Sequence, residues 1–551
     1  MLGKKFLKNP FHKPASDVPK EAYNWRLWFA VLTFSLLGAA RGFDEGLIGT
    51  TASQKSFSNL FHLKDPSLSK SEQANRLSNI TSMVQIGCVL GAMVAFFMAD
   101  RLGRLWAARQ LIFFWVVGLA IFISAGANGS LGQVYAGRFI AGVGIGQTAV
   151  VGPAYLAEIA PYPIRGLVVG FFAGASYLGI MIGYFASYGS SLHISNNSQA
   201  QWIIPNSTPL YVAAIIFVLS WFQPESPRWL VKRGRIEDAR HALATIRQLP
   251  VDDLYIAREI ADISEQLEQE QEATMGTSKF GLVRELFLIP SNRYRLWLSF
   301  GAQVLSQWSG AGSITVYAPQ FFSIVGVKGS SEGLLSTAIL GIVKFVSSLI
   351  SAILLVDIAG RKPALCTGIT IQLVAMTYMA LFLTIDPSVG TAGAVQSPSQ
   401  KHAATGAIAM IYFSGFGWAL GWNSLQYLIN AEIYPLRIRA LGSSIAMTLH
   451  FANQYGSNKA ITEMFLALTT AGTMWFFAAV TLLGLVWVWF FLPEATGRTL
   501  EEIDALFELP WYKIGRQKRT PPPARGVYGE YVIDEKEPRA QAHVEDANVK
   551  A

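Results

Sequence analysis

Long apolar stretches alternate with short polar ones along most of the chain. A helix that crosses a bilayer needs about 20 mostly apolar residues. Stretches of that kind lie near 27–49, 80–99, 106–126, 131–156, 167–187 and 204–222. A polar gap covers 223–295, and a second set follows near 297–322, 334–356, 364–384, 404–430, 440–465 and 469–492. The pattern predicts an all-α membrane protein with twelve transmembrane helices in two six-helix halves. The expected units are a tail over 1–26, halves over 27–222 and 296–492, a central loop over 223–295 and a second tail over 493–551. Within the central loop, Ile236–Gln248 and Asp253–Gln271 have the look of helices. Beyond Phe507 the tail is charged, contains Pro521-Pro522-Pro523 and is expected to be disordered.

Composition sharpens this picture. Of 551 residues, 52% are hydrophobic and 15% charged, against roughly 25% charged in soluble chains. The mean hydropathy is +0.34. Cys88 and Cys366 are not spaced as a metal site, and no nucleophile–base set appears, so neither a metal centre nor an enzyme is expected. The net charge of +8 is a matter of topology rather than of nucleic-acid binding. Of the 44 Lys and Arg, 34 fall in the tails, the central loop and the loops on their side, counting Arg109 at the edge of span 3 with its loop. That bias places both termini and the central loop in the cytoplasm. No cleavable signal peptide is expected, because the first 26 residues are polar and basic. Sequons stand at Asn79, Asn128, Asn196 and Asn206, with Asn128 and Asn196 in external loops.

Three motif pairs recur at equivalent places in the two halves. Asp100-Arg101-Leu102-Gly103-Arg104 follows span 2, and Asp357-Ile358-Ala359-Gly360-Arg361 follows span 8. Glu158-Ile159-Ala160-Pro161 with Arg165 follows span 4, and Glu432-Ile433-Tyr434-Pro435 with Arg437 and Arg439 follows span 10. Pro224-Glu225-Ser226-Pro227-Arg228 follows span 6, and Pro493-Glu494-Ala495-Thr496-Gly497-Arg498 follows span 12. Such pairing marks an internal repeat of six helices. Each motif sets carboxylates and guanidiniums at helix ends on one membrane face, where bidentate pairs form. Glu158, Glu225, Glu432 and Glu494 are expected to meet arginines such as Arg101, Arg104, Arg165, Arg361, Arg437 and Arg439 across the halves and hold the cytoplasmic mouth closed.

On these motifs the chain resembles the sugar porter family of the major facilitator superfamily, from about residue 20 to 508. Tyr23-Asn24-Trp25-Arg26, Gln201-Trp202 and Trp422-Asn423 resemble the fungal branch that includes quinate permeases. The resemblance implies the major facilitator fold, alternating access around a midplane site and the gating role of the cytoplasmic motifs. One departure is Leu105, where the family often has an arginine.

Ionisable groups inside spans are costly and are functional candidates. Span 1 carries Arg41, Asp44 and Glu45, span 4 carries Arg138, and span 8 carries Lys344. The resemblance assigns Asp44 to proton coupling and Arg138 as its partner. Burial raises a carboxyl pKa and a nearby arginine lowers it, so a changing distance between them would link proton binding to conformation. Arg41, three residues before Asp44, is equally placed to pair with Asp44 or Glu45. Lys344 is either a cavity cation or a structural donor to backbone.

The cargo positions carried over from the family give a mixed set. Gln307 is kept, whereas Ser306, Gly312 and Pro209 replace amides usual there. Tyr427 stands for a tryptophan, with Asn423 nearby, and span 11 supplies His450 and Gln454. Arg41, Gln307, Asn423, Tyr427, His450 and Gln454 are the expected substrate-binding residues. Amides suit hydroxyls because they donate and accept together. Arg41 would suit a carboxylate. The expected activity is transport of a monosaccharide or a related sugar or polyol acid across a plasma membrane. The proton gradient supplies the energy, with no cofactor. A passive facilitator and a non-transporting nutrient sensor stay open as alternatives.

Overall fold

Helices follow one another through the described residues of this computed structural model, with no strand among them. It describes residues 18–275, 279–327, 329–351, 360–387, 389, 397–423, 433–494, 503, 505–515 and 517. The first half comprises α1 (Trp25–Ser35), α2 (Leu37–Ser53), α3 (Lys70–Leu102), α4 (Arg104–Ser124), α5 (Leu131–Ile159), α6 (Arg165–His193) and α7 (Ala200–Ser220). A central unit holds α8 (Pro227–Lys232), α9 (Ile236–Arg247), α10 (Leu254–Thr274) and α11 (Lys279–Leu288). The second half comprises α12 (Pro290–Gln307), α13 (Ala311–Val316), α14 (Ala318–Ile324), α15 (Ser330–Ile350), α16 (Arg361–Ile385), α17 (Pro398–Leu420), α18 (Leu436–Ala467) and α19 (Thr469–Phe491).

Ten of these helical stretches are long and apolar enough to cross a membrane. The remaining two expected spans deviate for physical reasons. Span 7 is broken into α12, α13 and α14, since Gly310 adopts φ +87° and Tyr317 interrupts the next turn. Span 11, α18, is long enough, but Arg437, Arg439, His450, Lys459 and Glu463 lower its hydropathy. Span 1 also has a joint, at Leu36 between α1 and α2. Span 2 begins at Lys70, ahead of its apolar run. A capping box between Ser69 and Glu72 closes its first turn, and the helix packs along α18.

Glycines let the helices of one half approach closely. A Cβ at Gly142 would stand 2.1 Å from the Val84 carbonyl oxygen, and one at Gly146 2.3 Å from that of Cys88. The glycine run of span 4 is therefore a packing surface. Across the halves, α3 packs on α18 and α6 on α15. Near the chain's end, Trp511–Ile514 forms a helical turn whose Trp511 ring stacks on Phe491 at 6.1 Å. This corrects the expectation of disorder directly after Phe507: aromatic stacking holds that turn. Asn79 and Asn206 lie within α3 and α7, and both side chains bond to other helices.

Candidate functional site

The four-residue spacing on α2 divides its faces. Gly38, Gly42 and Gly46 approach α6, where a Cβ at Gly42 would lie 1.8 Å from the Ser176 carbonyl oxygen. Arg41, Glu45 and Gly49 form a second stripe. It faces the second half, where Gln454 of α18 and Val316 of α13 meet it. Asp44 is left toward α5.

Two ion pairs result, side by side. Arg138 Nη1 lies 3.0 Å from Asp44 Oδ1, with side chains 5% and 12% exposed. Arg138 Nη2 also donates to the Thr81 carbonyl at 3.3 Å, while its Nε is buried without a partner among the described residues. Beside this pair, a cavity lined by Leu47, Trp115, Phe122 and Asn206 leaves about 20 Å³ for water centres, room for roughly one water. Arg41 takes the other carboxylate: its Nε donates to Glu45 Oε1 at 2.8 Å. The same Oε1 accepts Gln454 Nε2 at 2.8 Å, a bond between the halves.

The polar groups of the second half gather opposite. Gln303 and Gln307 stand one turn apart on α12 and meet His450 of α18. His450 Nδ1 is 2.8 Å from Gln303 Oε1 and 3.4 Å from Gln307 Nε2. A carbonyl oxygen only accepts, so Nδ1 carries the hydrogen. Gln303 Nε2 and Asn423 Nδ2 are buried and have no hydrogen-bond partner among the described residues. Lys344 of α15, 1% exposed, donates to Thr315 Oγ1 and lies 5.8 Å from the Tyr177 ring centroid. Tyr184 OH donates to the Thr315 carbonyl at 2.6 Å. Gln303, Thr315 and Tyr177 do not stand out in the sequence. Gln303 is signalled by standing four residues before Gln307, but Thr315 follows a helix break that the apolar pattern conceals. Tyr427 lies outside the described residues.

The repeated acid–arginine motifs differ from expectation. Arg104 grips Glu158 with two bonds, Nη2 to Oε1 at 2.7 Å and Nε to Oε2 at 2.9 Å, and also reaches Asp100 at 3.3 Å. Glu225 accepts the backbone N–H groups of Arg104, Leu105 and Ser226 at 2.9, 3.1 and 2.8 Å. Burial outweighs these bonds and holds its carboxyl above the usual range. Glu494 repeats the device in the second half, accepting the Arg361 and Lys362 N–H groups at 3.2 and 3.0 Å. Gly103 at φ +90° and Gly360 at φ +95° make the turns that aim these N–H groups. Contrary to the expected contacts across the halves, these three glutamates bind partners of their own half. Glu158 stands in the last turn of α5, whereas Glu225 and Glu494 lie beside helix starts and satisfy N–H groups that need acceptors there.

Of the other gate arginines, two engage the central unit and a third bonds the backbone just ahead of its own helix. Arg228 pairs with Glu270 at 2.5 Å, Arg437 with Glu285 at 2.8 Å, and Arg439 donates to the Tyr434 carbonyl. Arg165 is exposed at the start of α6. The Arg101 carbonyl accepts Arg233, and Lys232 pairs with Asp100 at 2.7 Å. Arg247 bonds Glu259 and the Ile159 carbonyl. The central unit is thereby fastened to the first half, and through α10 and α11 it also reaches α18 of the second. Asp357 and Glu432 lie outside the described residues.

On the opposite face the halves are clasped directly. Lys459 donates to Asn75, Ser78 and Asn79, and Thr462 to the Ala74 carbonyl. Tyr317 OH joins Thr81 and the Asn458 carbonyl. Gly49 packs so tightly on α13 that a Cβ there would lie 1.6 Å from the Val316 carbonyl oxygen.

Comparisons with known proteins agree with this architecture. The family model described as sugar (and other) transporter matches residues 30–507. A probable quinate permease of Aspergillus niger is 32% identical over 494 residues, covering 89% of both chains. The quinate permease of Neurospora terricola is 31% identical over 506 residues, covering 90% of this chain and 91% of the relative. Among solved structures, the proton:xylose symporter XylE bound to 6-bromo-6-deoxy-D-glucose superposes with a TM-score of 0.71. It shares 21% identity and covers 87% of this chain and 99% of its own, a likeness of fold. Two six-helix halves, motifs repeated at matching helix ends and a family match over most of the length lead to one conclusion: this multi-pass membrane protein belongs to the sugar (and other) transporter family of the major facilitator superfamily.

Proposed function

We propose that the protein is a proton-coupled symporter for a polyol acid of the quinate class, working by alternating access at the midplane. Lys344 carries the cargo assignment. Its ammonium is buried, its hydrogen-bond partner is the Thr315 hydroxyl, and among the described residues no carboxylate lies within ion-pair distance. An unpaired buried ammonium is costly. A cargo carboxylate supplies the missing charge. Together Arg41 and Lys344 exceed Glu45 by one positive charge, which matches a monoanion. Gln303, Gln307, His450 and Asn423 offer the amides and imidazole that hydroxyls require. The names of the Aspergillus and Neurospora relatives support the same class. The buried Asp44–Arg138 pair supports coupling to protons, as does the proton symporter of like fold. The basic bias of the tails and central loop supports cytoplasmic termini.

Equilibrium binding to the full chain in lipid nanodiscs tests the cargo class. Quinate and galacturonate are expected to bind roughly tenfold more tightly than glucose or xylose. Lys344→Met should remove that advantage and leave glucose binding as it was. Tighter binding of a neutral sugar than of either acid, or quinate binding unchanged in Lys344→Met, would contradict the assignment.

A further inference from the structure

If the cargo is an anion, as proposed above, it meets a site already holding one. Arg41 and Glu45 keep 16% and 14% of their side chains exposed, whereas Lys344 is 1% exposed beneath Tyr177 and Thr315. An entering carboxylate therefore reaches Arg41 before it reaches Lys344. A guanidinium is also the better fork for a planar carboxylate. Arg41 and Glu45 are joined through Nε and Oε1 at 2.8 Å. Lys344 is bonded to Thr315 of α13, the helix on which the Arg41–Glu45–Gly49 stripe of α2 packs at Val316, and Glu45 acts on it electrostatically.

We propose that Glu45 is an exchangeable internal counter-ion that sets the specificity of the site: the cargo carboxylate replaces it on Arg41, and Glu45 passes to Lys344. Charges balance without an added proton. One ion pair and one lone ammonium plus the cargo anion become two ion pairs. The exchange also touches the relation of the halves. Gln454 of α18 bonds the same Glu45 oxygen that Arg41 holds, so Glu45 leaves the second half's grip as the cargo arrives. A neutral sugar cannot replace Glu45 and leaves both contacts closed. Selection for acids then lies in the displacement as well as in attraction.

The closed pair lowers apparent affinity by the fraction of time Arg41 is open to cargo. A pair closed for about 90–99% of the time reduces it by about 10–100-fold. Quinate binding to the full chain in nanodiscs tests this with wild type, Glu45→Gln, Glu45→Asp and Gln454→Leu. Glu45→Gln is expected to bind quinate at least about tenfold more tightly than wild type. Quinate exchange by this variant in proteoliposomes should be slower, because nothing displaces the anion on release. Glu45→Asp keeps the charge and should stay within about threefold of wild type. Gln454→Leu loosens Glu45 without unpairing Arg41, so it provides a reading should Glu45→Gln fail to fold, and its expected gain is about threefold. Wild-type affinity in both Glu45→Gln and Gln454→Leu would overturn the exchange while leaving the cargo class intact. Wild type that binds glucose but neither quinate nor galacturonate would instead overturn the cargo class, and the exchange with it.

Discussion

An Asp44→Asn variant is expected to lose proton-driven accumulation while still exchanging cargo down its own gradient. Asparagine keeps the shape and one acceptor for Arg138 but never binds or releases a proton at physiological pH. For a carrier moving one proton per cargo, each pH unit is worth about 1.4 kcal/mol, or roughly tenfold accumulation. In the variant that ratio should fall to about one at any imposed gradient. Arg138 then stands buried opposite a neutral group, with its Nε already unpartnered, so some loss of stability is expected as well. Counterflow separates the two effects: labelled cargo should still equilibrate across proteoliposomes. Accumulation that persists in Asp44→Asn would remove Asp44 from the coupling step.

The second large effect is expected at Gly49. No side chain fits between α2 and α13 there, since a Cβ would lie 1.6 Å from the Val316 carbonyl oxygen. Backbone on both sides cannot yield as a flexible side chain would. The contact lies between the halves, so the collision is relieved when they part on the face opposite the central unit. Gly49→Ala should therefore fold, bind cargo and stay open on that face. A bias of about 99:1 toward one state would lower transport by about a hundredfold. Maleimide labelling of a cysteine placed at Ser78, beneath the Lys459 clasp, should rise in the same variant. Wild-type transport by Gly49→Ala would show that this contact does not form during the cycle.

Particular residues show how much the sequence reveals. Asp44, Glu45 and Arg138 announce themselves because a charge in an apolar run is expensive to keep and persists where it is paired or used. Their pairing is not legible in the same way. Arg41 is equally placed for Asp44 and Glu45 by spacing, and only the packing of Gly38, Gly42 and Gly46 on α6 fixes which face each side chain takes. The twelve expected spans are legible from hydropathy, but the break at Gly310 is not, and with it goes the placement of Thr315 against Lys344. The motifs at the helix ends are legible as repeated charge clusters. Their partners differ because Glu225 and Glu494 serve helix starts of their own halves. The central unit's hold on Asp100 and Arg101 depends on Lys232 and Arg233, which hydropathy does not distinguish from any solvated basic run.

Proton-driven transport of an acid is read most directly as uptake of labelled quinate into proteoliposomes containing the full chain, with and without an inward proton gradient, beside xylose and glucose. Membrane potential should be clamped, and the fraction of protonated quinate held constant by working well above its carboxyl pKa. Quinate is expected to accumulate above its external concentration with the gradient and only to equilibrate without it, while the neutral sugars enter far more slowly. Accumulation of xylose or glucose in preference to quinate, or quinate uptake indifferent to the gradient, would overturn the proposed symport of an acid.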